Sequence, residues 1–480
     1  MIFQLVKKFL AQSSGSKLDD SVLLYALANA IFVVGAAIGA FMSGWIANIL
    51  GRRGGLLANH STAIIGSILV GPCYYMNSMS MFYIGRMFSG LNCGVSSGVA
   101  SMFLTEIAPR RFRGAIGACH QLAITLGIVA SYVITMNWSL NQHNCWSIAY
   151  AVGGIPAVIS LIILPFCPES PRFLFLRRNN EEAARKAFMK LNHADDADMF
   201  IGELREEQEI AKQQPKFRFI KLFVQRDLRM PVILAVLIQV MQQLSGINAV
   251  MAYSSQILKT AGIPLEYNQI CVVVIGIINV AATIVSLPLI ERLGRRALIL
   301  WPTFGLAWTL LFLVIFVNLV DHTEGSVKKS MGIVSALLIF LYIICFAMGL
   351  GPMAGLIVSE IFRTEPRGAA YSLSQCIQWL ANLVVMLTFP SVNAAIKGYT
   401  FLPFLVAVVC IWVVFFLFMP ETKNRTFDEV ATDLAFGKIV IGQKRAVIES
   451  RPMEEVKGQM NSDRGASEPL IGEGSQAVKV

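Results

Sequence analysis

A chain of 480 residues that is 55% hydrophobic and 15% charged, with a mean hydropathy of +0.61, carries too much apolar surface for an ordinary soluble protein. Its nine cysteines stand singly, without C-x-x-C pairs, and its five histidines are scattered, so no metal centre, catalytic constellation or cofactor is indicated. The net charge of +10 does not point to nucleic acid, because Lys and Arg gather in short connections between apolar stretches.

Residues 1–20 hold only short apolar pieces, broken by Lys7 and Lys8, and show no cleavable signal sequence. Eleven stretches beyond them reach the roughly 20 mostly apolar residues that a helix rising about 1.5 Å per residue needs to cross about 30 Å of hydrocarbon. They are predicted at 21–49, 56–76, 79–104, 114–136, 146–167, 230–254, 270–290, 297–320, 331–359, 369–390 and 401–419.

Lys and Arg are retained on the cytoplasmic side, so alternate connections should differ in basic content. One set carries Arg52 and Arg53, then Arg110, Arg111 and Arg113, thirteen Lys or Arg from Arg172 to Arg229, Arg292 with Arg295 and Arg296, and Arg363 with Arg367. The opposite connections 71–78 and 137–145 have none, and 255–269 has only Lys259. This predicts a cytoplasmic C-terminus, and an odd number of crossings then places residues 1–20 outside. Lys7, Lys8 and Lys17 would have to be translocated there, which gives the expectation that a helix preceding residue 21 is absent. The domains are an extracellular segment 1–20, a five-helix bundle 21–167, a cytoplasmic helical linker 168–229, a six-helix bundle 230–419 and a polar tail 420–480.

The two bundles repeat one another. Gly51-Arg52-Arg53 recurs as Gly294-Arg295-Arg296, Glu106 before Arg113 as Glu360 before Arg367, and Pro168-Glu169-Ser170-Pro171-Arg172 loosely as Pro420-Glu421-Thr422-Lys423. The offsets of 243, 254 and 252 residues agree to within a short insertion. Spans one to five then match spans seven to eleven, and span six needs a partner before residue 21, so two equal halves imply twelve helices less the first. Arg and Glu at a membrane edge can lock neighbouring helices, which makes Arg52, Arg53, Arg86, Glu106, Arg113, Glu291, Arg295, Arg296, Glu360 and Arg367 the candidate latch set.

On these motifs, together with Gly85-Arg86, Gln242-Gln243-Leu244-Ser245-Gly246-Ile247-Asn248-Ala249 and Pro420-Glu421-Thr422-Lys423-Asn424-Arg425-Thr426-Phe427, the chain resembles the sugar porters of the major facilitator superfamily, and within them the animal facilitative glucose transporters. The resemblance implies an all-α polytopic membrane fold of two pseudo-repeated bundles, at the plasma membrane. It implies too that Gln121, Gln242, Gln243, Asn248 and Asn279 line a sugar site with Trp379 nearby. The chemistry agrees, because a sugar hydroxyl both donates and accepts, amides do the same, and polar amides in apolar spans need a partner or a watery cavity. Gln242 and Asn248 share a face only if their helix breaks near Gly246. The chain departs from the family pattern where Gly349-Leu350-Gly351-Pro352 runs into Met353-Ala354-Gly355 rather than Ile-Pro-Trp, and where Ala347 stands for a glutamate.

The function expected is facilitative uniport of a hexose by alternating access, with the sugar and the bilayer as partners and no enzymatic role. The alternatives are a transport-impaired isoform or sugar sensor, and a proton-coupled symporter. Glu106, Glu291 and Glu360 sit at helix ends and the mid-span portions lack Asp and Glu, which favours the passive carrier.

Overall fold

No water satisfies backbone N–H and C=O groups in hydrocarbon, so each apolar stretch must close its hydrogen bonds internally, and helices do this. In the computed structural model the order is α1 (Ile2–Ser14), α2 (Ser21–Leu50), α3 (Arg52–Val70), α4 (Met79–Ile107), α5 (Arg113–Ile134), α6 (Trp146–Ala151), α7 (Gly154–Ile163), α8 (Pro171–Leu176), α9 (Glu181–Leu191), α10 (Ala197–Gln213), α11 (Lys221–Val224), α12 (Arg226–Leu244), α13 (Leu265–Leu293), α14 (Arg295–His322), α15 (Gly325–Met348), α16 (Leu350–Glu360), α17 (Thr364–Ile396) and α18 (Leu402–Phe418). The structure describes residues 2–15, 21–109, 113–136, 145–191, 197–213, 219–251, 265–322, 325–362, 364–423, 425, 429–430 and 433–434. Lys17, Arg110, Arg111, Lys259, Arg363, the side chain of Arg113 and the tail beyond residue 434 fall outside these.

Ten stretches among the described residues are helices long and apolar enough to cross a membrane, and they fall on ten of the eleven predicted spans. The stretch at 56–76 becomes α3, which is more polar. Its polar groups are paired inside the bundle: Asn59 donates from Nδ2 to the Asn92 carbonyl and to Ser96 Oγ, both at 2.9 Å, and His60 Nε2 lies 2.8 Å from Ser160 Oγ of α7. Hydrogen bonds thus hold α3 where apolar burial alone is weak.

Residues 2–14, in which the sequence showed only short apolar pieces, form a helix. Val6, Phe9 and Leu10 recur at helical spacing and are fully or almost fully buried among Ala28, Val70, Cys73, Phe82 and Trp146, while Lys8 is exposed. Next to this cluster α2 and α4 interleave at small residues. Gly35 and Gly39 of α2 face Met87 and Leu91 of α4, and Gly90 and Gly94 of α4 face the backbone of Phe32 and Ala36. Side chains of one hydrogen let the two backbones come together, the usual device for packing helices in lipid.

The second bundle has its own continuous core, running from Leu228 through Leu310 and Tyr342 to Phe415. The halves meet chiefly along two seams, α2 on α17 and α5 on α13, with lesser contacts of α5 with α16 and α4 with α17. The linker helices α8 to α10 pack through Phe175, Ala184, Ile201 and Leu204, with ion pairs Arg172–Glu207 and Arg205–Glu181, the latter at 2.6 Å.

Candidate functional site

Three interruptions of helix geometry build the site. At the end of α12, Ser245 and Gly246 turn the chain, Gly246 at φ +86°, before residues 247–251 resume the helix. This is the break the spacing of Gln242 and Asn248 required, and it brings Asn248 to donate to Gln243 Oε1. Asn382 of α17 donates to the same oxygen at 3.2 Å, and the freed Ser245 carbonyl accepts from Tyr342 at 2.8 Å.

A second break lies at Gly349, between α15 and α16. Gln242 Nε2 donates to the carbonyls of Leu350 and Gly351 just beyond it, at 3.1 and 3.3 Å, and Gln242 Oε1 accepts from Gln378 Nε2 at 2.8 Å. Gln242 and Gln243 are therefore each fastened to the opposite wall. By contrast Gln239, fully buried one turn before Gln242, leaves both side-chain polar atoms unpartnered, and so do Asn279 Oδ1 and Trp379 Nε1. The Trp379 ring meets Phe32 of the first half edge to face at 6.3 Å.

The amides Gln239, Gln242, Gln243, Asn248, Asn279, Gln378 and Asn382 and the ring of Trp379 line one cavity of about 2180 Å³, with Gln121 and His120 on the facing wall from α5. It exceeds the roughly 300–1,000 Å³ of an ordinary ligand pocket, because it continues from the amides to the end of the molecule that carries the basic connections. The structure so brings together all six sequence-predicted site residues, and adds Gln239, Gln378 and Asn382. Those three are legible as amides within one helical turn of Gln242 or Trp379, but nothing in the sequence alone selects them.

The third interruption is double. Gly51 and Gly294 hold φ of +86° and +88°, the left-handed region, between α2 and α3 and between α13 and α14. Each turn aims the first amides of the following helix at a carboxylate from the far end of its own half. Glu169 accepts from the backbone N–H of Arg52 and Arg53 at 3.0 Å, and Glu421 from Arg295 at 2.8 Å and Arg296 at 3.2 Å. Beside them Arg52 pairs with Glu106 at 2.7 Å, and Arg295 pairs with Glu360 through Nη2 at 2.9 Å and Nε at 3.1 Å. Ser170 and Thr422 complete the match by donating to Glu106 and Glu360. The sequence repeat is thus a repeated polar cluster, in which Glu169, Ser170, Glu421 and Thr422 take part beyond the residues singled out.

Each cluster ties helices within its own half. Arg53 and Arg296 add bonds to the carbonyls of Cys167 and Met419, at 2.9 and 2.8 Å, and Glu291 lies 3.4 Å from Arg295. Arg367 donates to the Phe362 carbonyl at 3.2 Å. Arg86 is elsewhere, in the first third of α4 beside Asn29 and Phe32.

The Gly294 turn gives a direct test. A Cβ there would stand 2.7 Å from the Glu421 carboxyl carbon on a backbone that side chains rarely adopt. Gly294→Ala is expected to lower stability by about 2–3 kcal/mol in chemical unfolding of the detergent-solubilised protein. Gly368→Ala, where an added Cβ meets nothing within 4 Å, should change it by under about 1 kcal/mol.

The profile of the family "Sugar (and other) transporter" matches residues 1–434. The chain is 35% identical over 437 residues to solute carrier family 2, facilitated glucose transporter member 3 of Ovis aries, covering 90% of this chain and 87% of that one. Against member 4 of Mus musculus it is 36% identical over 408 residues, 85% of this chain and 79% of the relative. The chain belongs to the sugar transporter family.

The fold of this sugar porter is that of the major facilitator superfamily. It superposes on the proton:xylose symporter XylE bound to 6-bromo-6-deoxy-D-glucose with a TM-score of 0.76 at 24% identity, covering 90% of this chain and 94% of that one. A partially occluded inward-open XylE from E. coli matches with a TM-score of 0.69, covering 88% and 94%. Members of this family are transporters, not enzymes. In the porter's α16, Met353 and Ala354 are buried and do not line the cavity, while Gly355 lines it beside Tyr371, whose hydroxyl stands 3.4 Å from where an added Cβ would be.

Proposed function

We propose that the chain carries a hexose such as glucose passively across the plasma membrane by alternating access, with its basic connections and C-terminus in the cytoplasm. The observation that carries this reading is the cluster of amides lining the cavity, in which Gln239, Asn279 and Trp379 keep buried polar atoms without a protein partner. Buried polar atoms are costly unless paired, and a hexose supplies hydroxyls that both donate and accept to complete them. The Trp379 ring offers a surface for the apolar C–H face of the sugar. Alternating access is supported by two halves that meet chiefly at α2 with α17 and α5 with α13 and enclose the amides between them.

Passive transport is supported by where the acids lie. Among the described residues the carboxylates lining the cavity, including Glu106, Glu291 and Glu360, stand at its basic end, and none reaches the level of Gln242 and Asn279. A coupled proton has no acidic carrier there. Radiolabelled glucose uptake into vesicles containing the purified protein tests both parts. Initial uptake should exceed that of empty vesicles and stay the same when an ionophore collapses an imposed proton gradient. A large fall on collapse sinks the passive mechanism, and uptake equal to empty vesicles sinks the carrier reading.

A further inference from the structure

The stretch that joins the linker to α12 exposes apolar side chains where the linker otherwise exposes chiefly charge. In residues 219–224, Phe219 is 37% exposed, Ile220 72%, Phe223 54% and Val224 64%. Leu222 between them is buried in the core of the second bundle, and Lys221 lines the basic end of the cavity. Elsewhere in the linker Glu182, Lys186, Lys190, Arg205, Glu206 and Glu209 are exposed. Four large apolar groups exposed within six residues make a patch that water disfavours, and such patches mark contact surfaces.

The patch continues a surface that faces the bilayer. Between Asp20 and Arg52 the chain has no charged side chain, and Phe41, Trp45 and Ile49 of α2 are exposed. Phe41 meets Phe219 edge to face at 5.9 Å, and Phe219 meets Phe223 likewise at 6.0 Å, so one run of rings passes from α2 onto α11. The turn also closes its own backbone hydrogen bonds, as hydrocarbon requires. The N–H groups of Leu222, Phe223 and Gln225 donate to the carbonyls of Phe219, Ile220 and Lys221 at 3.1, 3.1 and 3.0 Å. Directly after it Arg226 and Arg229 are exposed, and cations so placed suit the headgroup level.

We propose that residues 219–224 insert into the boundary between headgroups and acyl chains on the basic side of the bilayer. This end of the linker is then a membrane anchor, not an aqueous segment, and the partner of its patch is phospholipid. The anchor lies beside the seam of the two halves, since Phe219 touches α2 while α11 packs on α12 and α17.

Photolabelling of the purified full chain in phosphatidylcholine vesicles, with a diazirine on the lipid's acyl chain close to the glycerol, tests the anchor. Adducts are expected on the peptide carrying residues 219–224 as on that carrying Trp45, and not on Glu181–Leu191. Ile220→Asp combined with Val224→Asp puts two charges into the patch, so it should abolish the adducts at 219–224 and keep those at Trp45. Where that variant does not fold, the labelling pattern of the parent decides. Labelling of Trp45 without 219–224, equal labelling of Glu181–Leu191 and 219–224, or undiminished labelling of the double variant overturns the anchor.

Discussion

Glu360→Ala is expected to destabilise the porter by about 3 kcal/mol, more than the same change at Glu106, because it leaves an almost fully buried charge with only the longer contact to Glu291. The Arg295 side chain is 8% exposed and its carboxylate partner 16%, against 13% and 17% for Arg52 and Glu106. Arg295 gives three hydrogen bonds to Glu360, while Arg52 gives a single one to Glu106. Loss of Glu360 also deprives the Thr422 hydroxyl of its acceptor, so the end of α18 loosens from α16. Chemical unfolding in detergent measures the change. Glu360→Leu combined with Arg295→Met removes both charges at similar volume and should recover most of the loss, since a buried ion pair and an apolar pair of like size are often close in stability. A double variant as unstable as Glu360→Ala would show that the pair is worth more than its geometry implies.

Gln242→Ala and Gln239→Ala separate binding from architecture. Gln242 holds the carbonyls of Leu350 and Gly351 and accepts from Gln378, so its loss unpairs groups in a buried wall. Stability should fall by about 1–3 kcal/mol, and glucose uptake at low concentration by at least about tenfold. Gln239 has no protein partner to desert. Its truncation should leave stability unchanged or raised, because two unsatisfied buried atoms disappear, while sugar affinity drops by about tenfold. Equilibrium binding of labelled glucose alongside unfolding distinguishes the two. Parental affinity in Gln239→Ala would remove the amide floor of the cavity from the sugar site.

The sequence exposed those parts of the molecule that local pattern dictates. Apolar length marked ten helices, and the Gly246 break followed from requiring Gln242 and Asn248 to share a face. Repeat spacing found the Arg and Glu residues of both clusters, but not that Arg52 meets Glu106 and Arg295 meets Glu360, which lie more than fifty residues apart. It assigned no role to Glu169 and Glu421, whose task is to cap helices more than a hundred residues away, a relation without local signature. Gln239, Gln378 and Asn382 were missed for a similar reason, as which amide is fastened and which is free depends on three helices meeting. At α1 the short length and paired lysines masked an amphipathic face that only Phe82 and Trp146 reveal. Apolar length also marked the helix at α3, whose Asn59 and His60 are satisfied by neighbours that the apolar criterion does not weigh.

The interleaving of α2 with α4 has a mechanical corollary. Backbones this close slide past one another only by carrying a glycine out of its notch into the next side chain, so the two helices form a stiff beam. Relative movement of the halves is then taken up where they meet, chiefly at α2 with α17 and α5 with α13. A small displacement of the linker end of this beam therefore arrives undiminished at its other end, beneath α1, and any swing of the first half is a rotation of a rigid arm, not a bending of its helices.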